Sequence, residues 1–137
     1  MAQVKRRRPV PHLRSRFEPS VDGRRWVLVL PRLPLTANER LRLHWAAQRR
    51  DGKSWREALL AAGRPPREPP ARAVVRLTIH RRRLQDPDNQ VASVKPILNA
   101  LVARGWLVDD SADHVDPHVE ECKGLAVGTV VEWEEAR

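Results

Sequence analysis

Residues 71–80 alternate without interruption: Ala73, Val75, Leu77 and Ile79 fall on one side of an extended chain, and Arg72, Val74, Arg76, Thr78 and His80 on the other. Period-two alternation of this length predicts a strand buried on at least one face. The next apolar series has a different period. Val91, Val94, Ile97, Leu98, Leu101 and Val102 recur at helical spacing, and Gly105 supplies a C-terminal stop. Pro96 conflicts with one continuous helix from Pro87, because it removes a backbone donor and crowds the preceding turn. Either the helix kinks there, or a first turn at 87–92 gives way to a new helix capped near Ser93.

The remaining elements are read by the same rules. Arg25–Leu30 is a short apolar run closed by Pro31 and Pro34, which predicts a first strand. Thr36 or Asn38 caps a short helical segment running through Trp45, and Arg49–Ala62 is a helix ended by Gly63 and the Pro-rich stretch 64–70. Val115–Lys123 and Leu125–Trp133 read as a C-terminal hairpin around Gly124. The expected architecture is an α/β (α+β) single domain with a mixed sheet of about four strands and two to three helices, in the order β-α-α-β-α-β-β. Residues 1–22, with Lys5-Arg6-Arg7-Arg8 and little periodicity, are expected to be a mobile basic arm ahead of a domain spanning 23–137.

A chain of 137 residues has the length of one domain. No apolar run approaches the roughly 18 residues of a membrane span, and Lys5–Arg8 is not followed by the apolar segment of a secretory signal. A cytoplasmic protein is therefore expected. Cys122, the only cysteine, fits a reducing compartment and is read as a small strand residue.

Charge is divided along the chain. Residues 1–85 hold 22 Lys/Arg against 6 Asp/Glu, a net +16, while residues 86–137 hold 4 against 11, a net −7. A polyanion is attracted by the first part and repelled by the second unless cations occupy the acids. Two basic groups are candidate DNA contacts: Arg81, Arg82 and Arg83, which continue the 71–80 strand, and Arg49, Arg50 and Lys53 on one side of the 49–62 helix. The helix stripe can equally be a solvated face.

The acids begin where the basic strand ends. Asp86-Pro87-Asp88-Asn89 can be a helix cap, with Asp86 as N-cap and Pro87 in the first turn. Asp109-Asp110, just beyond the stop at Gly105, change that reading. Four acids from two chain segments repel one another unless protonated or bound to metal, and Mg²⁺ takes carboxylate oxygens and shares its remaining positions with phosphate. Asp113, His114 and Asp116 follow the pair and could extend a metal site, but the run from Asp113 to His118 has no metal-ligand spacing tied to a helix, and the loop reading is preferred. Trp26, Trp45, Trp55, Trp106 and Trp133 are read as core or dimer-interface anchors.

The run Arg81-Arg82-Arg83-Leu84-Gln85-Asp86-Pro87-Asp88-Asn89, then Lys95, Asn99-Ala100-Leu101, Gly105 and Asp109-Asp110, resembles the RusA-like Holliday junction resolvases of bacteria and phages. Pro34-Leu35-Thr36-Ala37-Asn38 with His44-Trp45 is similar to that family's N-terminal segment, so the resemblance covers roughly residues 24–135. It implies a homodimer that cuts four-way DNA junctions in recombination and repair, using Mg²⁺, for which Mn²⁺ can substitute. It also implies that Asp86, Asp88 and Asp110 are catalytic metal-binding carboxylates, with Asp109 an adjoining acid, and that Lys95 contacts the scissile phosphate. Two departures stand out. The segment from DPDN to Asn99 is three residues longer than the family pattern, which on a helix adds about 300° and about 4.5 Å, and Asn99 stands where the family often has Asp. Two other readings fit the same residues: a non-catalytic basic DNA-binding protein, and a metal-dependent nuclease for other branched DNA or RNA.

Overall fold

The alternation in residues 71–80 becomes the strand Ala73–Arg81, with Ala73, Val75, Leu77 and Ile79 fully enclosed. A computed structural model describes residues 10–85, 90 and 92–136. The expectations for Asp86–Asn89 and for Lys5–Arg8 lie outside the described residues. In chain order the elements are β1 (Arg16–Pro19), β2 (Arg25–Leu30), α1 (Ala37–Leu41), α2 (Trp45–Ala62), β3 (Ala73–Arg81), α3 (Lys95–Ala103), β4 (Val115–Lys123) and β5 (Gly128–Glu135). They form one α+β domain around a five-stranded mixed sheet, ordered β1-β2-β5-β3-β4.

Sheet register explains the core. Trp26 sits opposite Trp133, Leu28 opposite Val131, and these in turn face Val75 and Leu77 of β3. Trp55 and Leu59 of α2 and Ile97, Leu98 and Leu101 of α3 pack into the same apolar cluster. Trp106 and Trp133 meet edge to face at 5.5 Å, and Phe17 of β1 closes on Trp106 at 5.0 Å. Trp26, Trp55, Trp106 and Trp133 are thus core residues. Trp45 is not: it is exposed at the start of α2, with the Arg49 guanidinium 5.6 Å from its ring.

Three local expectations are corrected. The fifth strand, β1, lies inside the stretch read as a mobile arm, and pairs antiparallel with β2. Phe17 gives this segment an apolar anchor that its basic composition conceals. The expected C-terminal hairpin does not form, because β3 lies between β4 and β5. β5 turns Val131 and Trp133 inward and takes a central place, whereas Asp116, His118 and Glu120 leave β4 polar and exposed, fit for an edge. β4 therefore runs parallel to β3, which needs a crossover, and α3 lies within it. The short helix ends at Leu41 rather than Trp45, because His44 caps a new helix by accepting from the Ala46 N–H at 3.3 Å. Thr36 does cap α1, in a reciprocal box with Glu39. Pro96 falls in the first turn of α3, where its missing donor is harmless; the helix starts at Lys95 with Val94 rather than Ser93 as its N-cap, and the expected turn at 87–92 lies largely outside the described residues.

At Gly128 β5 passes close to its neighbours. A Cβ there would come 2.7 Å from the Leu30 carbonyl oxygen and 3.0 Å from Leu13 Cβ. Gly128→Ala is expected to destabilise the fold by about 1–3 kcal/mol, through backbone displacement. Urea unfolding measures this directly, and an unchanged midpoint would contradict the close approach.

Candidate functional site

The site is assembled by the way α3 ends. Gly105, at φ 80°, closes the helix in a left-handed turn: its N–H reaches the Val102 carbonyl at 3.1 Å, and the Trp106 N–H reaches that of Leu101 at 2.9 Å. Trp106 and Leu107 are then drawn into the core. The chain is thereby turned back along α3, which at nine residues is about 13.5 Å long, toward its N-terminal end. There the Lys95 ammonium donates to Asp110 Oδ2 at 2.7 Å. The Asp110 N–H donates to Asp109 Oδ1 at 2.8 Å, which fixes the two acids relative to each other.

Lys95, Asp109 and Asp110 are therefore brought together at the N-terminal end of α3. The Lys95 hydrogen bond, chiefly, holds the Asp110 carboxyl below its usual value, against the opposing effect of burial. The pair remains partly open to solvent, with side chains 55% and 24% exposed, so its net worth is at most about 1 kcal/mol. A carboxyl lowered on folding stabilises the fold above its unfolded value, near 3.9, and loses that contribution as pH falls through the lowered folded value. In metal-free protein the NMR titration of Asp110 should accordingly have its midpoint below about 3.9, and Lys95→Met should raise it. An Asp110 midpoint indifferent to Lys95→Met would contradict the contact.

The basic residues divide. Arg82 and Arg83 are exposed beyond the end of β3. Arg81 is not a surface residue: it is 7% exposed, its Nε lies 3.2 Å from Glu121 Oε1, and its Nη2 donates to the Pro34 carbonyl at 2.8 Å. Burial draws its guanidinium below the ordinary arginine value, opposed by Glu121 and Glu39. Its charge is spent inside the protein, so the basic lead-in reduces to Arg82 and Arg83. Arg49, Arg50 and Lys53 are exposed on α2, and Lys53 approaches Glu57 at 3.9 Å.

Two buried acids escaped the sequence reading. Asp51, on the inward side of α2, pairs with Arg32 at 2.7 Å. Glu121, on the inward face of β4, has a fully enclosed side chain. Both carried a signal. Asp51 stands at i−4 and i−8 from the buried Trp55 and Leu59, and Glu121 shares strand parity with Val115 and Val119. His114 and the Asp116–His118 pair are engaged at the β4 edge: His114 Nδ1 lies 2.8 Å from the Ala71 carbonyl, and His118 Nε2 lies 3.1 Å from Asp116 Oδ2.

Among the described residues no three His, Cys, Asp or Glu side chains form a metal-holding group. Asp109 and Asp110 carry hard oxygen donors of the kind Mg²⁺ takes, and Asp110 Oδ2 is at present engaged by the Lys95 ammonium. No protein-family model matches the chain, and no curated protein matches it either.

Proposed function

We propose that the protein is a Mg²⁺-dependent, structure-selective endodeoxyribonuclease that resolves four-way DNA junctions as a homodimer, in a bacterial or phage-infected cytoplasm. The observation that carries this reading is the Lys95–Asp110 contact. It joins the acidic pair after α3 to the start of that helix, only six residues beyond Asn89. In this reading the two halves of the acidic motif, 20 residues apart from Asn89 to Asp109, would meet at the N-terminal end of α3.

In this reading Asp86, Asp88 and Asp110 hold the metal, with Asp109 supporting Asp110. A bound Mg²⁺ would activate water and neutralise charge on the scissile phosphate. Lys95 has a role that follows from its present partner. Were a divalent ion held by Asp110, the Lys95 ammonium would be the group placed to meet a phosphate oxygen and stabilise its negative charge. Arg82 and Arg83 hold the DNA backbone beside the site, with Arg49, Arg50 and Lys53 as a second basic surface. Two-fold symmetry would place equivalent sites on the two strands of a junction that must both be cut.

Purified protein incubated with a synthetic four-way junction tests the reading. Paired nicks that require Mg²⁺ or Mn²⁺ are expected. Protein that binds the junction and leaves it intact with either metal would overturn the catalytic reading in favour of a DNA-binding protein, in which Lys95–Asp110 is a surface ion pair. Linear duplex, flap DNA and RNA in the same assay distinguish a nuclease of another substrate.

A further inference from the structure

Trp26, Trp55, Trp106 and Trp133 are each at most 8% exposed, whereas Trp45, at the start of α2, is 62% exposed. A single apolar residue on a surface needs no partner. The company this one keeps points to a class of partner. Residues 40–50 carry Arg40, Arg42, Arg49 and Arg50 and no acid. The His44 ring lies 5.4 Å from the indole and the Arg49 guanidinium 5.6 Å from it. Arg49 and Lys53 follow Trp45 at four-residue steps, so ring and charges share one side of α2. The first turn of α2 holds no acid, which leaves the positive end of the helix dipole uncompensated beside two arginines. The platform is also held in place. His44 caps the helix, and the Gln48 side chain donates to the carbonyls of Arg40 and Leu43 at 3.1 and 3.2 Å, tying α1 to the first turn of α2.

Charge decides between the partners that could cover an exposed indole. A two-fold contact between copies centred on Trp45 would set Arg42 and Arg49 against their own counterparts. An apolar peptide would cover the arginines without supplying counter-ions. A nucleotide meets both needs, since its base stacks on the indole while its phosphate takes the guanidinium groups. In a duplex the base faces are already covered by their neighbours, so only an unpaired nucleotide has one to offer. We propose that Trp45 is a stacking platform for an unpaired nucleobase, with Arg49 and Lys53 holding phosphates of the same strand. Such bases occur where the strands of a branched DNA part. The inference rests on the DNA-binding part of the reading proposed above and is independent of its metal.

Titration of the full chain with a short oligothymidylate in EDTA, followed by strand anisotropy and by tryptophan emission, tests the assignment. The other four tryptophans are buried, so stacking on Trp45 should quench the part of the emission that acrylamide reaches. Trp45→Ala should lose this quench and bind about 5- to 150-fold more weakly, and Trp45→Phe should recover much of the affinity. An abasic strand of the same length and charge should bind wild type and Trp45→Ala equally. Arg49→Ala should lower the slope of log affinity against log salt by about 0.7, a slope that Trp45→Ala leaves unchanged. Equal binding of the oligothymidylate by wild type and Trp45→Ala would overturn the inference while leaving DNA binding standing. Emission that changes with protein concentration in the absence of DNA would assign the ring to a contact between copies, and would overturn it too. Wild-type protein that binds neither strand would overturn the DNA-binding reading itself, and this inference with it.

Discussion

Asp110→Asn is expected to abolish junction cutting while sparing or tightening junction binding. The substitution keeps the size of the side chain and removes its charge, so the site loses an anionic oxygen donor for Mg²⁺. Losing metal stabilisation of the transition state on the order of 4 kcal/mol corresponds to about a 10³-fold slower cut. Binding moves the other way, because one negative charge near the phosphates is gone and Lys95 loses its anionic partner. The fold should hardly change, since the pair is partly exposed. Asp88→Asn should behave alike. Gel-shift and cleavage assays on the same junction separate the two effects. A variant that cuts at the wild-type rate would remove Asp110 from the site, and one that loses binding and cutting together would point to a folding defect.

Trp133→Ala is expected to be the most damaging single core change. The side chain is 2% exposed at the centre of β5, with ring centroids of Trp26 and Trp106 each at 5.5 Å and Phe17 at 6.5 Å. Truncation leaves a cavity bounded by three aromatic rings, a loss of about 3–5 kcal/mol. For a domain of this size that lowers the melting temperature by on the order of 10–20 °C. Trp133→Phe provides the control. Among the described residues the buried indole N–H has no hydrogen-bond partner, so removing it forfeits no bond. The phenyl ring keeps much of the packing, and the expected loss is below about 1.5 kcal/mol. Equal losses for Ala and Phe would contradict this account of the aromatic cluster.

What could be read from the sequence was what repeats locally. The alternation of β3, the apolar run of β2 and the spacing of Trp55, Leu59 and Ala62 each reflect burial within a single element, and each formed as expected. Pairing between elements was less legible. β4 and β5 are neighbours in sequence, and a hairpin is the shortest connection between them. β3 nevertheless takes the place beside both, because its inward residues are apolar along almost its whole length and β4 is polar enough for an edge. Phe17 escaped notice for a related reason: one aromatic among arginines and prolines carries no period, and its value appears only against Trp106 and Trp133.

The site was legible in part. Gly105 predicted the turn that returns the chain, and the structure adds the 2.7 Å contact that makes Lys95 and Asp110 neighbours. Arg81 shows where pattern and charge competed. Its place in a run of three arginines suggested a surface, while strand parity with Ile79 placed it inside. Parity prevailed because Glu121, opposite Ile79 on the inward face of β4, reaches Arg81 and supplies the opposite charge.

A crystal of the protein soaked with Mn²⁺, examined by anomalous scattering, tests the central claim most directly. The account predicts Mn²⁺ bound by carboxylate oxygens of Asp86, Asp88 and Asp110, with Lys95 no longer hydrogen-bonded to Asp110. Manganese absent from this end of α3, or bound there without Asp86 and Asp88, would contradict it.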